Sequence, residues 1–146
     1  MRVVHLRFGV VFGRGGGALG KMLPLFRAGL GGKLGSGRQW MSWIALDDLV
    51  SAAFYLAETA ALEGAFNLVA PYPVTNADFT RALGSALHRP AVLPAPAFAL
   101  RAAFGEMADQ ALLASARAVP ERLLGSGFAF ELPRIDSALA SLLRRE

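Results

Sequence analysis

Gly13-Arg14-Gly15-Gly16-Gly17-Ala18 has the spacing G-x-G-x-x-A, between a run of β-branched residues and an apolar run with helical spacing. In that setting backbone amides and a helix N-terminus hold a pyrophosphate. A full fingerprint also needs an acidic residue about 20 positions later, to take a ribose hydroxyl. No acid occurs before Asp47. Arg27, Lys33 or Arg38 would suit a 2′-phosphate instead, but none of them clearly ends a second parallel strand. Three readings stay open: a phosphate-binding fingerprint, an active-site or substrate-side loop, and a plain connection.

The second group with chemical potential is Arg38, Gln39, Trp40, Ser42 and Trp43, which together offer a cation, an amide, a hydroxyl and two indoles. Such a set can line a substrate pocket. Strand alternation puts Gln39, Met41 and Trp43 on one face and Trp40, Ser42 and Ile44 on the other. One of those faces must be core, so each tryptophan divides between core and pocket. Asp47 and Asp48 read as helix N-cap candidates rather than as an acid/base pair. His5 reads as a structural histidine in an apolar strand. His88 sits at a helix end, where a cation suits the dipole. No ligand spacing points to a metal, and no nucleophile–base pair is visible, so no catalytic residue is assigned.

Charge is unevenly spread. Between Met1 and Leu46 there is no Asp or Glu, while Arg2, Arg7, Arg14, Lys21, Arg27, Lys33 and Arg38 all fall there. A one-signed stretch fits an acidic segment packed against it, an anionic ligand such as phosphate or, least, nucleic acid. The basic residues are spread among apolar positions, so no nucleic-acid partner is expected. With 146 residues, 54% of them hydrophobic, the chain is the size of one domain and carries a surplus of apolar surface. The absence of cysteine excludes disulfides. No apolar run is long enough to span a bilayer and no signal peptide is recognisable, so a cytoplasmic protein with no membrane partner is expected.

The elements that must position these residues alternate. Val3–Leu6 reads as a short buried strand that can continue to Phe12, Ala18–Gly29 as a helix with Pro24 as a kink or boundary, and Gln39–Leu46 as a strand. A helix through Ala57 follows, then a short strand Ala65–Val69 and a helix from Thr75 or Asn76 to about Leu87. Val92 and Leu93 suggest one more strand. After Pro96 alanine, leucine and arginine dominate, with helices expected at Ala97–Phe104, Glu106–Ala116 and Arg134–Leu143. The fold class is α/β with some parallel pairing. Residues 1–96 form the first region and residues 97–146 a small, mainly helical C-terminal subdomain.

Several segments carry a resemblance. They are Arg7-Phe8-Gly9-Val10-Val11, Gly16-Gly17-Ala18-Leu19, the run Gly35-Ser36-Gly37-Arg38-Gln39-Trp40-Met41-Ser42-Trp43-Ile44-Ala45-Leu46-Asp47-Asp48, and Asn67 to Asn76. With Arg89-Pro90 and Gly125 to Phe130, they resemble the epimerase-family branch of atypical extended short-chain dehydrogenases/reductases, nucleoside-diphosphate-sugar epimerase-like proteins that end in a small domain of unknown function. The resemblance covers nearly the whole chain. It implies the C-terminal portion of a Rossmann-like, NAD(P)-binding fold, with NAD or NADP and a small-molecule ligand bound by the complete protein.

It further implies that Arg7, Phe8 and Gly9 lie near the nicotinamide and that Arg38, Gln39, Trp40, Ser42 and Trp43 lie on the substrate side. Two departures follow. Tyr55 and Tyr72 are followed four residues later by Thr59 and Asn76, so no Tyr-x-x-x-Lys pair exists here. Where nucleotide-sugar binders place Arg-x-x-x-His-Val-x-Asp, this sequence has Met41, Ala45 and Asp48, leaving Arg38 as a substitute cation. The expectation is a substrate-side and C-terminal fragment, inactive and free of dinucleotide alone. A non-enzymatic binding or oligomerisation module is the alternative, and a homo-oligomer is expected on either reading.

Overall fold

The computed structural model describes residues 1–13, 17–93, 101–102, 105–106, 115 and 117–143. The extended run expected at Val3–Phe12 is two strands, β1 (Val4–Phe8) and β2 (Val10–Phe12). Gly9 breaks them because the chain there passes against the Ser42 carbonyl, so that any Cβ would collide with it. The Val10 amide donates to that carbonyl at 2.9 Å. Helix α1 (Gly17–Arg27) follows, with Pro24 inside it.

The strand expected at Gln39–Leu46 is likewise divided, into β3 (Trp40–Met41) and β4 (Trp43–Ala45). Helix α2 (Leu46–Glu58), β5 (Gly64–Leu68), β6 (Val74–Thr75) and α3 (Asn76–Leu87) complete the first region. Beyond it the described residues form α4 (Glu121–Gly125) and α5 (Ile135–Leu143). Val92 and Leu93 are not in a strand. The helices expected at 97–104 and 106–116, and the boundary at Pro96, lie largely outside the described residues.

The pairing is mainly parallel, as alternation of strands and helices requires. β1 runs parallel to β5, with Arg7 opposite Asn67 and Phe8 opposite Leu68. β2 runs parallel to β4, with Val11 opposite Ile44. The break at Gly9 thus passes one chain segment from β5 to β4. The short β3 and β6 pair antiparallel.

Two clusters form the core. Phe12, Trp43, Phe79, Leu83, Ile135 and Leu139 build one, so α5 packs on α3 within the same core as the sheet. Ile44, Ala52, Leu56, Phe66, Leu68 and Leu123 build the other, between α2, α4 and the strands. The expectation of a buried first strand is corrected: Leu6 and Phe8 are exposed, and so is His5, which therefore is no core histidine. Apolar periodicity identified the strand but not what covers it.

Polar groups fix the ends of the elements. Thr75 caps α3, its hydroxyl accepting from the Asp78 amide at 3.2 Å. The N-cap of α2 is Ala45, which makes no side-chain cap; the expected aspartate caps lie in the first turn instead. Of the two, Asp48 is buried, and its carboxylate accepts from the backbone amides of Glu131 and Leu132 at 3.0 and 2.9 Å. The other end of α2 is held by Arg2, whose guanidinium donates to the carbonyls of Leu56, Ala57, Thr59 and Leu62. A cation there complements the helix dipole. No helix among the described residues is long and apolar enough to cross a membrane.

Asp48→Ala leaves two amides without their charged acceptor and is expected to lower stability by about 2–4 kcal/mol. Asp47→Ala, on the exposed side of the same turn, is expected to cost less than about 1 kcal/mol. Urea unfolding followed by circular dichroism checks the ordering, and equal costs would contradict it.

Candidate functional site

In open α/β sheets ligands bind beyond the carboxyl ends of the parallel strands. Here those ends are Phe8 on β1, with Gly9 just beyond it, and Leu68 on β5. Alternation along β1 sends Arg7 and Phe8 to opposite faces. On one face Arg7 lines a cleft of about 340 Å³ with Asn67, Arg117, Val119 and Arg122. On the other, Phe8 joins Leu6, Leu49, Val50 and Phe54 in an almost wholly apolar groove. Gly9 is a packing position against Ser42. The three residues expected near a nicotinamide therefore do not share one surface.

The five substrate-side residues also separate. Trp43 is fully buried, stacked on Phe12 with ring centroids 6.2 Å apart, and its indole N–H donates to the Tyr72 carbonyl at 3.1 Å. It is core. Gln39 is buried and ties down its own loop, donating to the Leu34 carbonyl at 3.1 Å while its carbonyl accepts from the Asn76 amide. Arg38 is exposed and does not line the cleft.

Trp40 and Ser42 converge instead on the segment before α4. The Trp40 amide donates to Ser115 Oγ at 3.0 Å, and the Arg117 guanidinium lies 4.8 Å from the centre of the Trp40 ring. Ser42 Oγ accepts from the Ala118 amide at 2.8 Å, and Asn67 Nδ2 donates to the Val119 carbonyl at 3.3 Å. Residues 115 and 117–119 thus lie along the ends of β3, β4 and β5, and bring Arg117 beside Arg7.

The cations in this cleft differ in what they are free to do. Arg122 donates to the carbonyls of Ala65 and Glu63 at 2.6 and 2.9 Å and lies over the Phe66 ring, so its donors hold α4 to the sheet. Arg7 is exposed, and neither it nor Arg117 donates a hydrogen bond among the described residues. Glu121 is the one carboxylate among the cleft's described lining residues. The arrangement can hold an anion beside an aromatic platform. Neither tyrosine is placed in it: the Tyr55 hydroxyl donates to the Ser126 carbonyl at 2.6 Å, and Tyr72 lies under Arg134 at 4.4 Å. Among the described residues no group of His, Asp and Glu is placed to hold a metal. Arg117 is a site residue that sequence reasoning missed. It stands at the edge of an expected helix with no motif around it, and only its charge marked it.

Comparison with known proteins supplies the wider frame. Residues 95–142 match the model of a domain of unknown function, DUF1731. The chain is 51% identical to the epimerase family protein Mb2239 of Mycobacterium bovis over 94% of its own length and 46% of that protein. It is 42% identical to the human epimerase family protein SDR39U1 over 97% of its length and 48% of that protein. Thus it spans about half the length of the curated relatives it matches. Among solved structures, human SDR39U1 (isoform 2) with NADPH superposes with a TM-score of 0.96 at 40% identity, covering 100% of this chain and 50% of that one. A nucleoside-diphosphate sugar epimerase from Corynebacterium glutamicum follows at 0.75 and 33%, covering 99% and 27%. A Thermus thermophilus UDP-glucose 4-epimerase with NAD, at 19% identity, shares the Rossmann-like fold, with a TM-score of 0.68 over 97% of this chain and 46% of that one.

The two tryptophans give a direct test of the division between core and site. Trp43→Ala is expected to cost about 3–5 kcal/mol, as for other fully buried aromatic truncations. Trp40→Ala, at a half-buried position, is expected to cost less than half of that. Chemical denaturation of both variants checks this, and a larger loss at Trp40 would contradict the assignment.

Proposed function

We propose that the chain is the C-terminal part of an epimerase family protein of the short-chain dehydrogenase/reductase type, the substrate-side half of an NAD(P)-dependent, nucleoside-diphosphate-sugar epimerase-like protein. The observation that carries this reading is the near-complete superposition on half of a relative solved with NADPH. The exposed face of β1 and α2 supports it: Phe8 and Phe54 are 56% and 62% exposed, in a groove that a further part of such a fold would cover.

Within that reading the work of these residues is recognition. Trp40 offers a ring face, Arg117 and Arg7 offer cations, and Ala118 and Val119 are held by Ser42 and Asn67. Arg117 lies over this platform, and we assign it the anion-binding part that Met41 cannot play. The described residues do not by themselves fit a dinucleotide. Arg7 and Phe8 face opposite sides of the sheet, and Gly9 is occupied by packing, so no chemical step is derived through the cofactor. Residues 1–146 alone are expected neither to bind NAD(P)H tightly nor to turn over a sugar nucleotide.

The same groove favours a second reading, a module that associates with its own copies. Covering about 400 Å² of apolar surface gains on the order of 10 kcal/mol before association costs. Val50 and Leu6 extend the exposed patch beside Phe8 and Phe54.

Two measurements separate these readings. Calorimetric titration of the chain with NADPH is expected to give no binding tighter than about 100 μM; low-micromolar affinity would contradict the half-site reading. Sedimentation equilibrium is expected to show self-association that Phe54→Asp abolishes if the second reading holds. A monomer at all concentrations removes that reading.

A further inference from the structure

A different cleft lies between α3, the loop 31–37 and the segment 89–93. Its volume is about 600 Å³, within the range of small-molecule sites. Lys33, Arg81 and Arg89 line it, with the hydroxyl-bearing Thr80 and Ser85, and no carboxylate is among its described lining residues. Ala77, Gly84 and Ala91 keep its walls low.

The cations are set in place by the fold. Gly37, at φ +72, leaves room for the stem of Lys33: a Cβ there would meet Lys33 Cδ at 3.0 Å and Ala77 Cβ at 3.1 Å. The loop is pinned to α3 at three points. The Leu34 amide donates to Asn76 Oδ1 at 2.7 Å, the Ala77 amide to the Gly37 carbonyl at 2.9 Å, and the Asn76 amide to the Gln39 carbonyl at 2.9 Å. Across the cleft, α3 ends at His88 in the left-handed conformation, φ 55, which folds the chain back so that the Arg89 amide donates to the Gly84 carbonyl at 3.0 Å. Arg89 Nε donates to the Arg27 carbonyl at 3.0 Å, which orients its guanidinium. Arg81 is held less firmly, in an exposed pair with Asp78 at 3.1 Å, and a bound anion competes with that carboxylate.

The geometry points to a binding site for the phosphate end of a phosphorylated small molecule, separate from the cleft beside Trp40. Three cations around a floor with two hydroxyls match a group with several charged oxygens, such as a diphosphate or triphosphate, better than a single carboxylate. The volume leaves room for more than the phosphates themselves. An acid-free stretch of 46 residues contributes Lys33, so no carboxylate on the loop itself neutralises the site.

Titrating the full chain with inorganic triphosphate at low ionic strength, followed by ¹H–¹⁵N correlation spectra, tests this. The expected result is saturable shifts at the amides of Lys33, Thr80 and Ser85, independent of any at the Trp40 indole and the Ala118 amide. Lys33→Ala and Arg81→Ala, both exposed and outside the core, are each expected to weaken binding about threefold to tenfold, and added salt to weaken it further. Absence of saturable shifts, shifts confined to Trp40 and Ala118, or unchanged affinity in both variants would overturn the proposal. So would tighter binding of a short DNA duplex than of triphosphate, since that would make the cleft a backbone contact for nucleic acid.

Discussion

A single buried carboxylate holds the molecule in register. Asp48 sits in the first turn of α2, immediately after β4, and accepts from two backbone amides 83 and 84 positions away in sequence. Two amides satisfy a carboxylate that is itself buried, so removing either amide leaves that carboxylate short of a donor. That contact anchors the segment leading into α5, and α5 in turn closes the larger cluster on Phe12, Trp43, Phe79 and Leu83. With the C-terminal region fixed in this way, Ser115, Ala118 and Val119 meet Trp40, Ser42 and Asn67, and Arg117 reaches the Trp40 ring.

The second constraint is the close approach at Gly9. Because the chain must clear the Ser42 carbonyl, the extended run from Val4 to Phe12 breaks and changes its partner from β5 to β4. The two halves then present different surfaces. β2 is drawn inward, with Phe12 fully buried, while β1 keeps Arg7 on one face and Leu6 and Phe8 on the other. A polar cleft and an apolar groove therefore lie back to back across one strand. The cleft has the groups needed to recognise an anionic ligand. The groove is almost wholly apolar, with Leu6, Phe8, Val50 and Phe54 exposed along it.

The sequence made some of this visible and not the rest, for reasons that differ by residue. Local rules read well: the Thr75 cap, the helices around α1, α2 and α3, and the parallel α/β class follow from periodicity and composition. The motif around Arg38 to Trp43 marked a real junction, and Trp40 and Ser42 do meet the C-terminal segment. What failed was long-range. Asp48 looked like a cap because its true partners lie far along the chain. Trp43 and Gln39 looked like pocket residues until the break between β3 and β4 set aside simple alternation. β1 looked buried because an apolar strand reads the same whether or not its cover is part of the chain.

Amide hydrogen exchange measured by mass spectrometry addresses the central claim, that the β1–α2 face completes itself only against a further part of the fold. The chain would be compared alone and after mixing with the part of the Mycobacterium bovis relative that lies outside its matched region. Fast exchange in Val4–Phe8 for the chain alone, slowed at least tenfold by the added part while Trp43–Ala45 stays protected in both, is the predicted result. Equal protection of Val4–Phe8 with and without the added part would contradict it, because β1 would then need no cover beyond what these 146 residues provide.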